Sequence, residues 1–167
     1  RIDLTTGTSK QETVPPELIG ELIGAKGIGT HYLCEEVGPE VDPLSPQAKL
    51  IFVVGPMGGT SMLGSNRYAL YFVSPLTNGY CECYSGGNLT PQFARTGYKV
   101  VIVEGKAEGR IYLEISDEGV AFHGAEDLWG QDAFVSEDKI LERTPNKKAQ
   151  ACVIGQAGEN LVRFACV

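Results

Sequence analysis

The feature that most constrains this chain is the length of its apolar runs. Leu50-Ile51-Phe52-Val53-Val54 and Val100-Val101-Ile102-Val103 each suit a strand, and no run approaches the ~18 apolar residues that a membrane-crossing helix needs. Gly55-Pro56 halts the first run, and Gly105 opens the link after the second. Runs this short are buried only by packing against one another. With 43% apolar residues among 167, the chain can build a real core, which fits one domain of ordinary size and argues against disorder.

Ile2 to Leu4 and Ser9 to Val14 flank Thr5-Thr6-Gly7-Thr8, the pattern of an opening hairpin. Pro15-Pro16 starts a helix over Glu17 to Ile23, with i,i+4 pairs Leu18/Leu22 and Ile19/Ile23, and Gly24 ends it. A second helix is predicted from Gly29 to Val37, followed by a proline-rich loop from Pro39 to Pro46. Strands are predicted at Leu50 to Val54, Arg67 to Val73, Tyr80 to Tyr84, Lys99 to Glu104, Arg110 to Ser116 and Val120 to Phe122. Met57 to Asn66 reads as a long exposed loop. A short helix after Gly87 takes Thr90 as its N-cap, Pro91 at its first position and Gly97 as its stop. Ala125 to Trp129 reads as a helical turn and Val135 to Arg143 as an amphipathic helix. Ala149 to Ile154 and Val162 to Cys166 read as final strands joined by 155–160. Strands outnumber helices and follow one another directly, so the class is α+β without a regular βαβ repeat.

Lys and Arg number 14 against 21 Asp and Glu, and a net charge of -7 argues against a general nucleic-acid-binding surface. The five cysteines are an odd number without disulfide-scaffold density, so a reducing, cytoplasmic compartment is expected. The chain begins without an initiator Met and ends inside an apparent strand, so it reads as a fragment of a longer protein. Gly24-Ala25-Lys26-Gly27-Ile28-Gly29 invites a nucleotide-loop reading on Gly27 and Gly29. A helix rather than a strand precedes it and the third fingerprint glycine is missing, so close helix-to-helix packing is the stronger reading. Cys81 and Cys83 share a strand face but lack companions for a metal site; small buried hydrophobes are the simpler expectation. Trp129 reads as core, and Glu35-Glu36 and Glu126-Asp127 as solvated helix faces. His31 and His123 have no serine or cysteine in a suggestive pattern, and no catalytic set or protein metal ligands emerge.

A glycine-rich cluster with one basic residue remains. Gly55-Pro56-Met57-Gly58-Gly59-Thr60, Asn66-Arg67 and Ser85-Gly86-Gly87 fall in loops or at strand ends. Glycine lets a planar or phosphorylated ligand approach the backbone, free amides can bind anionic oxygens, and Arg67 offers a planar cationic fork. The alternative is that these glycines only make tight turns.

These segments, with Asp42-Pro43-Leu44-Ser45-Pro46, Ser74-Pro75-Leu76-Thr77, Gly97-Tyr98, the run from Val103 to Glu108, Leu128-Trp129-Gly130 and the run from Ile154 to Val162, resemble the N-terminal domain of aldehyde:ferredoxin oxidoreductases, in order and over essentially the whole chain. The resemblance implies a two-sheet, barrel-like base carrying a tungsten (or molybdenum) bis-pterin cofactor. It also implies a [4Fe-4S] cluster ligated beyond Val167, oxidation of aldehydes to carboxylic acids, and ferredoxin as electron acceptor. Downstream domains of the same chain, and a second copy in a homodimer, are further candidate partners. By position, Arg67 matches an arginine that contacts the pterin. Gly86 and Gly87, with Ser85, match the segment whose backbone packs on the cofactor. Tyr84 stands where many members carry a pterin-binding asparagine, a departure that exchanges amide donors and acceptors for one hydroxyl and a bulky ring. Residues 1–167 are then the cofactor-binding part of a larger enzyme and cannot turn over alone. The rival reading is a stand-alone binding or scaffold module without cofactor.

Overall fold

The computed structural model describes residues 1–165; Cys166 and Val167 lie outside the described residues. The chain opens with strands β1 (Ile2–Asp3) and β2 (Thr8–Ser9), then helices α1 (Pro16–Leu22) and α2 (Ala25–Glu36). Strands β3 (Lys49–Val54), β4 (Tyr68–Val73) and β5 (Tyr80–Ser85) follow, then helix α3 (Leu89–Arg95) and strand β6 (Val100–Glu104). A hairpin of β7 (Ile111–Ser116) and β8 (Gly119–Gly124) precedes helices α4 (Ala133–Arg143) and α5 (Gly155–Glu159).

Six strands form one sheet in the order β2-β1-β6-β3-β4-β5, antiparallel except where β1 lies parallel to β6. The two apolar runs recognised in the sequence are its centre: Ile51 pairs with Ile102 and Val53 with Val100. Side chains alternate across the sheet. Ile51, Val53, Ala69, Tyr71 and Ile102 face one side, where Leu33 and Val37 from the α2 segment complete a core. Val54, Tyr68 and Leu70 face the other, with Leu50, Phe52, Phe72, Cys83 and, from α3, Leu89 and Phe93.

The α+β class is the observed one, but the barrel is not. Among the described residues the large sheet ends openly at β2 and β5, and β7 and β8 pair only with each other. The two predicted terminal strands are also corrected. Residues 149–154 form no ladder, and the supposed link is helix α5, followed by hydrogen-bonded turns to residue 165. A β-favouring run becomes a strand only where it pairs with a neighbouring edge, and residues 149–154 pair with none.

Helix α2 begins at Ala25, four residues before the expected Gly29. Its glycines serve packing. A Cβ on Gly29 would lie 2.2 Å from Cδ2 of Tyr71, and one on Gly27 would lie 2.7 Å from the Leu22 carbonyl oxygen. The nucleotide-loop reading of Gly27 and Gly29 therefore has no loop to rest on. Helix α3 starts at Leu89 rather than after Thr90; Thr90 is fully buried and caps nothing, while Gly97 with φ +83° does end the segment. Glu36 is likewise no solvated face residue. Arg1 grips its carboxylate through both terminal guanidinium nitrogens, with Nη1 at 2.7 Å from Oε2, and Lys49 Nζ donates to the same Oε2 at 2.7 Å. Lys49 also pairs with Glu104, so the cluster ties α2 to β3, β6 and the start of the chain.

Candidate functional site

The site lies where β4 begins and β5 ends, at the free edge of the large sheet. The hairpin register pairs Tyr68 with Ser85 and Ala69 with Tyr84, so the next cross-strand neighbours are Arg67 and Gly86. The structure brings them together: a Cβ on Gly86 would sit 3.8 Å from both Cδ and Nε of Arg67 and 3.5 Å from the Asn66 carbonyl oxygen. Gly87 follows with φ +78° and nothing within 4 Å of its would-be Cβ. That φ is open to glycine and costly for other residues, so the bare main chain here faces free space. Arg67 is exposed, and among the described residues no hydrogen bond or ion pair engages its guanidinium.

The remaining expected residues divide between the faces. Tyr84 shares the α2 side with Arg67 and Gly86. Its hydroxyl lies 3.4 Å from that of Tyr71 and the two rings meet edge to face, 6.5 Å between centroids. Burial is the main cause that pushes the Tyr71 phenol up, so the Tyr71 hydroxyl keeps its proton at neutral pH. Ser85 points to the opposite side, toward the buried Tyr68, whose phenol burial also pushes up while the Ser85 hydroxyl pulls it back. Ser85 thus contributes backbone, not side chain, to the Arg67 face.

The glycines at 58 and 59 do not belong to the same surface. Gly58 is buried, its would-be Cβ 3.4 Å from Cγ2 of Thr90, and one on Gly59 would lie 2.6 Å from Cβ of Ala94. Here the tight-turn reading holds: these glycines let the 55–60 loop lie on α3. The loop continues through its own bonds, Thr60 Oγ1 to the Met57 carbonyl (2.8 Å) and Ser65 Oγ to that of Met62 (2.8 Å), before delivering Arg67.

A polar chain beside Tyr84 escaped the sequence reading. Lys26 Nζ donates to Glu82 Oε1 (2.7 Å), the Tyr80 hydroxyl donates to Glu82 Oε2 (2.6 Å), and Thr30 Oγ1 lies 3.0 Å from that hydroxyl. Lys26, then Tyr80, hold the Glu82 carboxyl below its usual range. The period-two spacing of Tyr80, Glu82 and Tyr84 was the available signal; their partner Lys26, 56 residues from Glu82, was not visible. The chain clamps edge strand β5 to α2 and so fixes where Tyr84 stands. Elsewhere, Trp129 is half-buried rather than core, with the Arg110 guanidinium 4.6 Å from its ring centroid. His123 stacks on Tyr112 and meets Glu114 at 2.9 Å.

The donor set suits a flat anionic group. It offers open main chain at Gly87, a guanidinium that no carboxylate engages among the described residues, and a phenol hydroxyl at the rim. Among the described residues no group of three or more His, Cys, Asp or Glu is placed to hold a metal ion.

Fold and site define an open-sheet α+β domain with a bare, cationic sheet end. The chain belongs to the family described as aldehyde ferredoxin oxidoreductase, N-terminal domain, whose model matches residues 1–167. It is 41% identical over its whole length to a protein named tungsten-containing aldehyde ferredoxin oxidoreductase from Pyrococcus abyssi, and 40% identical to one of the same name from Pyrococcus horikoshii. It covers 28% of each, so it spans little more than a quarter of the curated relatives it matches. Among solved structures it resembles a chain of the active-site complex BamBC of benzoyl coenzyme A reductase in complex with 1,5-dienoyl-CoA. The TM-score is 0.82 at 32% identity, over 84% of this chain and 22% of that one.

Proposed function

We propose that residues 1–167 are the cofactor-binding N-terminal domain of a full-length enzyme that oxidises aldehydes to carboxylic acids and passes the electrons to ferredoxin. The observation that carries this reading is the Arg67 guanidinium, unpaired among the described residues, lying against Gly86 beside the open main chain of Gly87, in a chain that matches the family along its whole length. The names of the relatives support tungsten as the metal. The fitting group is a tungsten bis-pterin, and when bound it supplies the two-electron chemistry by which an aldehyde and water become a carboxylic acid, two protons and two electrons.

The residues of this chain bind and orient. Arg67 offsets negative charge on the group, and the Gly86–Gly87 main chain lets it lie closer than any side chain would allow. The Tyr84 hydroxyl, steadied by Tyr71, gives one polar contact at the edge. None of these groups transfers a proton to substrate, so residues 1–167 alone are expected to be inactive. The [4Fe-4S] cluster and the substrate pocket belong to the rest of the protein. Exposed Cys34 and Cys152, both free thiols, support a reducing, cytoplasmic setting.

The full-length protein, purified anaerobically, tests this reading. Tungsten or molybdenum is expected by elemental analysis, with aldehyde-dependent reduction of ferredoxin or a viologen dye. A protein with neither metal and no such activity would leave the stand-alone module as the better reading.

A further inference from the structure

Three donors converge on Glu82 at the edge of the seat. Lys26 Nζ donates to Oε1 (2.7 Å) and the Tyr80 hydroxyl donates to Oε2 (2.6 Å). With the Tyr80 proton spent there, Thr30, whose Oγ1 lies 3.0 Å from that hydroxyl, donates to Tyr80. Tyr84 stands two residues after Glu82 on the same face of β5. After Lys26 and Tyr80, its hydroxyl is the third donor that holds the Glu82 carboxyl below its usual range.

Tyr71 settles the sense of the remaining bond. Its side chain is fully buried, and its hydroxyl has one hydrogen-bond partner among the described residues, the Tyr84 hydroxyl at 3.4 Å. Burial keeps the Tyr71 proton in place, and a buried O–H that donated to nothing would be left unsatisfied. Tyr71 therefore donates and Tyr84 accepts. A phenol hydroxyl holds one proton and two lone pairs. The Tyr84 proton goes to the Glu82 carboxylate and one lone pair receives the Tyr71 proton. The second lone pair is left for the open side, where Tyr84 is 47% exposed.

We propose that Glu82 is a positioning residue: by drawing the Tyr84 proton inward it makes the rim hydroxyl a hydrogen-bond acceptor, so the bound group meets Tyr84 through an N–H. Resting on the reading of this site as a cofactor seat, this divides the seat by chemistry. Anionic oxygens go to Arg67 and the open main chain of Gly87, and an N–H edge of the heterocycle goes to Tyr84. The Lys26 ammonium balances the Glu82 charge, which limits repulsion between that carboxylate and an anionic group nearby. In a Glu82→Gln variant the amide can donate to Tyr84 instead; the Tyr84 proton then turns outward, and donor meets donor at the rim.

A double-mutant cycle on the full-length protein, purified anaerobically, tests this. Pterin and tungsten per protein are measured for wild type, Glu82→Gln, Tyr84→Phe and the double variant, with thermal unfolding of each. Both single variants are expected to retain severalfold less pterin at a nearly unchanged Tm, because the Lys26 end of the ion pair is exposed and such pairs add little stability. The double variant should retain as much as the poorer single one, since Glu82 acts through Tyr84. A readout that needs no cofactor is the phenol C–O stretch of Tyr84, isolated as the infrared difference between each metal-free protein and its Tyr84→Phe counterpart. It should shift between wild type and Glu82→Gln as the phenol ceases to donate to a carboxylate. Wild-type pterin in Glu82→Gln, additive losses in the double variant, or an unshifted C–O band would each overturn the role of Glu82 and leave the cofactor seat standing. A wild-type protein without pterin would defeat the seat itself, and this role with it.

Discussion

Replacing Gly29 by alanine sets two known effects against each other. In a helix interior alanine is favoured over glycine by ~1 kcal/mol. At Gly29 the added methyl would stand 2.2 and 2.3 Å from two carbons of the Tyr71 ring, where ordinary contact begins near 3.4 Å. The ring cannot swing clear: Tyr71 has 0% exposure, lies between Tyr80 and Tyr84 with both ring centroids at 6.5 Å, and meets the Tyr84 hydroxyl. Helix α2 must lift from the sheet, loosening Leu33 and Val37 as well. Overpacking of a filled core costs ~1–3 kcal/mol, and a lift shared along a helix belongs at the upper end, so the net loss is about 2 kcal/mol after the propensity gain. For a chain of this size that corresponds to a fall in Tm of about 4–8 °C. Gly20 in α1 is the control: nothing lies within 4 Å of its would-be Cβ, so Gly20→Ala should gain up to ~1 kcal/mol. Urea and thermal unfolding followed by circular dichroism measure both. Gly29→Ala at or above wild-type stability would refute the close approach of α2 to β4.

Glu36 gives a pH-dependent test. The Arg1 hydrogen bonds are the main cause that lowers its pKa from 4.5 to about 2, with Lys49 adding to them against the cost of burial. A depressed carboxyl stabilises the fold above its unfolded pKa and loses that contribution as pH falls through the folded one. The window is therefore about 4.5 down to about 2. Glu36→Gln should cost on the order of 2 kcal/mol at neutral pH, after allowance for its 21% side-chain exposure, and flatten the acid limb of the stability curve; an unchanged limb would deny the cluster its role. The Thr90 hydroxyl is buried with no partner, so Thr90→Val should leave stability unchanged or raise it by about 1 kcal/mol in urea titration. A clear loss would mean that an ordered water or ligand satisfies it. Tyr84→Phe keeps the ring on Tyr71 and removes one long hydroxyl contact, so unfolding should shift by less than about 1 kcal/mol. A larger loss would show that the hydroxyl pair fixes the end of β5.

The parts of this fold legible in the sequence are those decided locally. Leu50 to Val54 and Val100 to Val103 read as strands and are strands, and Gly97 ends its segment as a glycine at positive φ does, whereas α1 is capped by Ile23 and Gly24 opens α2. What stayed hidden depends on residues arriving from elsewhere. Ala149 to Ile154 was expected as a strand from its composition, but it pairs with no edge of either sheet. Glu36 looked solvated because its cations come from positions 35 and 13 residues away. The start of α2 was missed because glycine at 27 and 29 is costly in a helix; closeness to Leu22 and Tyr71 outweighs that cost. At the site, the Arg67–Gly86 pairing follows from the hairpin register and was within reach. The division between Gly87, which faces open space, and Gly58 and Gly59, which pack on α3, needed coordinates, because glycine looks the same in sequence whichever purpose it serves.

The most direct test of the seat is the cofactor content of the full-length protein carrying Arg67→Ala. Arg67 is exposed and its guanidinium makes no hydrogen bond or ion pair with a described residue, so the metal-free fold should keep its Tm and its circular dichroism. Tungsten and pterin per protein, measured by elemental analysis and by fluorescence of the oxidised pterin, should fall severalfold, with Arg67→Lys intermediate because ammonium keeps the charge but loses the planar fork. Wild-type tungsten and pterin in Arg67→Ala would contradict the assignment of Arg67 and the Gly86–Gly87 main chain as the place where the cofactor rests.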